Sequence, residues 1–166
     1  MGAGFFGRIG AAILACLFAA LVPESASAAN TGISVDGAWC RVSAYRAHTA
    51  FVYLTLSLRG EPTDNLIGAS TPLAATVDLI APVIGKGRER LERVDEVELN
   101  AHVPTVLQPQ GPHFLLKGLR HNVQPGQSFV MTLIFARAGK HDITVHVVDK
   151  APADGMPGLP KGVKLN

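Results

Sequence analysis

The chain has 166 residues and a formal charge of only +2, from 15 Lys+Arg against 13 Asp+Glu, a length that fits one domain. With 48% hydrophobic and 17% charged residues, it can bury a sizeable core, and intrinsic disorder is excluded for most of it. Its basic residues are scattered, without the cluster or stripe that a phosphate backbone would follow, so nucleic acid is not an expected partner.

Residues 1–28 read as a secretory signal. A short start carries Arg8, an apolar run follows from residue 9 to 22, and Ala26-Ser27-Ala28 offers small residues to a peptidase. The apolar run is shorter than the roughly 20 residues of a spanning helix, so no membrane span is expected in the mature chain. Ile13-Leu14-Ala15-Cys16 loosely resembles a lipoprotein processing site. Cutting there would leave the apolar 17–22 stretch on the mature protein. Cleavage after Ala28 is therefore the expectation, with a periplasmic or secreted destination. It removes Cys16 and leaves Cys40 alone, so no internal disulfide can form. Beside Trp39, Cys40 reads as a small buried hydrophobe, and it cannot complete a multi-cysteine zinc site.

From Ile33 onward, short β-rich runs alternate with turn residues. Val52, Leu54, Leu56 and Leu58 interleave with Phe51, Tyr53, Thr55 and Ser57, and residues 33–42 alternate in the same way. The pattern predicts strands over 33–42, 50–58, 66–70, 75–81, 91–99, 103–108, 113–116, 128–135 and 141–148. Turn signals separate them, among them Gly85-Lys86-Gly87, Pro109-Gln110-Gly111-Pro112 and Ala138-Gly139-Lys140. No stretch shows a sustained helical period with caps. The expectation is an all-β domain over residues 29–149, an antiparallel sandwich or Greek-key barrel. The Pro- and Gly-rich residues 150–166 read as an extended tail.

No nucleophile elbow, Gly-rich phosphate loop or His-Glu-x-x-His helix is present, so an enzyme is not expected. Six histidines make a metal the first chemical question. His48, His102, His121, His141 and His146 pair at no ligand spacing with Cys, Met or another His, and they read as solvated or structurally bonded side chains. Met131, among apolar strand neighbours, reads as core.

His113 differs in its surroundings. The stretch Leu107-Gln108-Pro109-Gln110-Gly111-Pro112-His113-Phe114-Leu115-Leu116 leads into Gly118-Leu119, and Ala38-Trp39-Cys40-Arg41 opens the domain. Gln124-Pro125-Gly126-Gln127-Ser128 precedes Met131-Thr132-Leu133-Ile134-Phe135, and Ala138-Gly139 precedes the last strand. In this order the segments resemble the periplasmic copper chaperones called the PCu(A)C family. The resemblance implies a cupredoxin-like Greek-key β-barrel or sandwich that carries Cu(I) on a surface site of two His and two Met and passes it to an envelope oxidase. Soft thioethers with imidazole suit Cu(I), and the absence of thiolate keeps the ion transferable.

The family spacing, a His, a Met about eleven positions on, and a His-x-Met pair about twenty-two further, falls here on Ile80, Leu91, His113 and Leu115. One ligand position keeps its donor. The resemblance thus implies a copper chaperone-like domain with Cu(I) binding lost or weakened, and a small apolar patch beside His113. Two alternatives remain open at this point. A working carrier could complete its site with Met156, a partner or a second copy, and an interaction module could dock an envelope protein on the apolar patch.

Overall fold

The computed structural model of the chain describes residues 32–150 apart from Tyr45, Ala47, Glu61, Pro62 and Lys86. The expected signal segment, Cys16 and the residues beyond Lys150, with Met156, lie outside the described residues. The elements are β1 (Ile33–Val42), β2 (Thr49–Leu58), β3 (Thr63–Ser70), β4 (Ala74–Gly85), β5 (Arg88–Arg93), β6 (Val97–Asn100), β7 (Thr105–Leu107), β8 (His113–Leu119), β9 (Ser128–Phe135) and β10 (Gly139–Val147). The described residues form no helix, and so none that is long and apolar enough to cross a membrane.

The strands run β5-β4-β8-β2-β1-β10-β9-β3-β6, with β7 paired to β2 off this path. All named pairings are antiparallel except β1 with β10, where Trp39 stands opposite His146 and Cys40 opposite Val147 in parallel. The direction of that pair is not readable in the sequence, because period-two alternation looks the same in either direction. The all-β, cupredoxin-like sandwich implied by the resemblance is the fold observed.

The core follows from alternation. Val52, Leu54, Leu56 and Leu58 of β2 point inward, where they meet Phe114 and Leu116 of β8, Met131, Leu133 and Phe135 of β9, and Val145 and Val147 of β10. Each of these is at most 2% exposed, so each contributes the roughly 1.5–3 kcal/mol of a fully buried apolar side chain. Cys40 joins this core as a free thiol.

Three details differ from the sequence pattern. The alternation of β1 is broken by a bulge between Asp36 and Trp39, where Gly37 takes φ 59°. Before it Ile33 and Val35 pack on the core, and after it Ala38, Cys40 and Val42 do. The phase therefore slips by one residue, and Trp39 is buried on the outer face against Tyr53. The single strand expected over 91–99 is two strands, β5 and β6. They leave opposite ends of the sheet path, β5 on β4 and β6 on β3, with Val94, Asp95 and Glu96 crossing between. The expected strand over 103–108 pairs only as Thr105–Leu107.

Candidate functional site

His113 owes its setting to the turn before it. Gln108 N–H donates to the Pro112 carbonyl at 2.7 Å, and Gly111 N–H reaches the Gln108 and Pro109 carbonyls at 3.0 Å, with Gln110 at φ 69°. This closed loop brings the Gly111 carbonyl 2.8 Å from His113 Nδ1. A carbonyl only accepts, so Nδ1 carries the proton, and in the neutral imidazole the lone pair is on Nε2. The ring is only 6% exposed, with Phe51 and Tyr53 at centroid distances of 5.8 and 5.9 Å. Such a carbonyl-locked imidazole has the support that metal-ligating histidines commonly have.

The sheet register gathers the other three positions around it. Ile80 of β4 stands opposite His113, Leu91 of β5 opposite Pro82, and Leu115 of β8 between Phe51 and Asp78. Ile80, Leu91, His113 and Leu115 all line one open hollow of about 760 Å³, with Phe51 at its wall and Arg41, Arg46 and Asp149 among its polar residues. Leu91 is 48% exposed. Residues scattered over 36 positions of sequence therefore share one face, because β5, β4, β8 and β2 are consecutive neighbours.

The donor set of this hollow does not fit Cu(I). It offers one imidazole and, from Asp149, a hard carboxylate, whereas Ile80, Leu91 and Leu115 supply no lone pair. No group of three or more His, Cys, Asp or Glu that could hold a metal ion occurs among the described residues. Met131 is fully buried in the core. Burial pushes the Cys40 thiol up from 9.0 to about 12, so it stays protonated and is a poor ligand or nucleophile at neutral pH.

The remaining histidines lie apart from this hollow. His48 Nδ1 lies 3.2 Å from the Leu119 carbonyl, and His102 and His121 are exposed. His141 sets its ring edge-on to Phe135 at 5.4 Å. His141 and His146 border a second hollow with Asp142, but these residues make no metal-holding cluster.

Two features beside the hollow were not legible in the sequence. Trp39 and Tyr53 form an aromatic pair at 4.4 Å on the outer face, extended by Phe51 and Val106. Burial raises the Tyr53 phenol above its usual 10.0, against the opposing charge of Arg41. Trp39 Nε1 and Thr55 Oγ1 have no hydrogen-bond partner among the described residues. The second feature is Asp78, 9% exposed, which meets Lys117 at 2.6 Å and Arg93 at 3.9 Å. The strand phase of Asp78 puts it on the hollow's face, but only the sheet order brings the two cations to it.

The fold is that of PCuAC domains. The chain superimposes on the copper-bound PCuAC domain of PmoF2 with a TM-score of 0.61 at 22% identity, covering 72% of this chain and 94% of that one. On apo-DR1885 from Deinococcus radiodurans the TM-score is 0.59 at 23% identity, over 90% and 97% of the two chains. At these identities the likeness is one of fold. The sequence profile described as "Putative lipoprotein LpqE-like" matches residues 33–147, and the chain belongs to this LpqE-like family. It is also similar to "Putative lipoprotein Lxx21020" of Leifsonia xyli subsp. xyli, at 28% identity over 150 residues, 87% of this chain and 89% of the relative.

Proposed function

We propose that the protein is an exported, non-enzymatic envelope domain of the copper-chaperone fold in which Cu(I) binding is lost or much weakened. One observation carries this reading: the four positions that the family spacing picks out line a single hollow, and three of them hold side chains without a donor atom. One imidazole, however well held, cannot retain Cu(I) against competing thiols and thioethers. Calorimetric titration of the exported protein with Cu(I) under reducing conditions tests it. No tight binding is expected. Sub-nanomolar binding that His113→Ala abolishes would overturn the reading in favour of a working carrier.

The second reading, a docking module for another envelope protein, is favoured by the exposed apolar residues Leu91 at 48% and Val83 at 37% around the β4–β5 hairpin. The two readings are compatible, because loss of donors is what leaves the hollow apolar. For the domain boundaries we propose a signal over 1–28, the β-domain over 29–149 and a tail over 150–166. The lipoprotein descriptions of the family and the Leifsonia relative support Cys16 as a competing, acylated N-terminus. Intact mass of the exported protein separates the two: an Ala29 start supports the boundary proposed here, and a lipid-bearing Cys16 start replaces it.

A further inference from the structure

Strand β5 ends the sheet path. It pairs only with β4 among the described residues, and all six of its side chains are exposed. Its ladder to β4 fixes which backbone groups are spoken for. Val94 N–H donates to the Leu79 carbonyl at 2.9 Å, and this pair is in register with Ile80 opposite Arg93. In an antiparallel ladder, bonded and unbonded pairs alternate. Glu92 and Arg90 therefore bond to β4, while Arg93, Leu91 and Glu89 turn their N–H and C=O groups outward. Pro82 fits this phase: it stands opposite Leu91, where no bond to its missing N–H is required.

A free edge of this kind is a template for another strand. Charges of one sign would block it, but the sequence Arg88-Glu89-Arg90-Leu91-Glu92-Arg93 alternates in sign about Leu91. We propose that β5 pairs antiparallel with β5 of a second copy of this chain, about a two-fold axis through Leu91. In that register Leu91 meets Leu91 of the second copy and exchanges both backbone bonds with it. Glu89 meets Arg93 of the second copy, Arg90 meets Glu92 of the second copy, and the two-fold repeats each pair. Side chains paired in this way lie on the same face of the sheet.

The neighbouring registers are penalised. Sliding by one residue sets Arg88 against Arg93 and Glu89 against Glu92 in one direction, and Arg90 against Arg93 in the other. Sliding by two sets Arg90 or Glu92 against its own copy. Because Leu91 also lines the hollow, the dimer places two hollows on one face of a continuous sheet with the Leu91 pair between them. A docking protein would then meet a doubled site. The dimer does not depend on how copper is handled.

Sedimentation of the exported protein up to about 0.5 mM should show a rise from monomer to dimer mass that high salt reverses, as expected for a small charged interface. The variant Glu89→Lys/Glu92→Lys and the variant Arg90→Glu/Arg93→Glu each place like charges at every pair. Each should self-associate at least about tenfold more weakly than the unmodified chain. Mixed together, the two variants should form a mixed dimer, because each lysine or arginine again meets a glutamate. Leu91→Pro removes the central N–H at a position that makes no bond to β4, and it should leave a folded monomer. Three results would overturn the proposal: a monomer mass throughout the concentration range, a dimer indifferent to these variants, or a mixture that stays monomeric.

Discussion

Phe114 and Leu116 leave β8 toward the core and are fully buried, whereas His113 and Leu115 alternate with them on the outer face and line an open hollow. One strand thus carries two kinds of residue. On the inner face size and hydrophobicity decide what is tolerated. On the outer face the donor atoms decide what can be bound, and a change of Met to Leu there alters chemistry while preserving volume. The fold can therefore be kept whatever donors the outer face presents.

Truncation on either side of β8 gives the largest contrast. Phe114→Ala should destabilise by about 3–5 kcal/mol, whereas Leu115→Ala, over the hollow, should lose less than about 1.5 kcal/mol. Urea unfolding of both variants checks this, and equal losses would break the distinction between the faces. The inner face also predicts a pH response. Cys40 ionises from about 9.0 in the unfolded chain but only near 12 in the folded one. The folded state thus holds its proton more tightly. Stability should be unaffected by this thiol below pH 9 and should fall above it by up to about 1.4 kcal/mol per pH unit. Unfolding midpoints measured from pH 8 upward, compared with Cys40→Ala, isolate that slope.

On the outer face the effects shrink. His113→Ala removes the bond to the Gly111 carbonyl and the packing of a 6%-exposed ring against Phe51 and Tyr53, and its destabilisation should be about 1–3 kcal/mol. Lys117→Ala removes the ion pair with Asp78. Lys117 is 52% exposed, so the change should lie within about 1 kcal/mol and shrink further in salt.

How much of this was legible follows the same division. The alternation in β2 and β9 and the turn at Gly85-Lys86-Gly87 announce strands and their inward residues directly, since burial and period two are local signals. The Gly37 bulge is not announced. A glycine there could equally mark a turn, and only the register with β2 shows the slip that turns Trp39 outward. The break at Val94, Asp95 and Glu96 is hidden because β5 and β6 continue a similar rhythm while pairing at opposite ends of the sheet. The convergence of Ile80, Leu91, His113 and Leu115 was reachable only through family spacing. No pattern within the chain tells which strands are neighbours. The Trp39–Tyr53 pair and the cations at Asp78 depend on sheet order in the same way.

The central claim is that these four positions converge and that copper is denied only by the missing donors. Ile80→His with Leu91→Met and Leu115→Met restores two imidazoles and two thioethers. The Leu→Met changes usually shift stability by less than about 1.5 kcal/mol, and half-buried Ile80 leaves a histidine access to water. Competition titration with Cu(I), run beside the unmodified protein, is the most direct test. The account predicts that the triple variant gains tight Cu(I) binding that His113→Ala abolishes. A variant that folds with unchanged circular dichroism yet binds no better than the unmodified protein would contradict it.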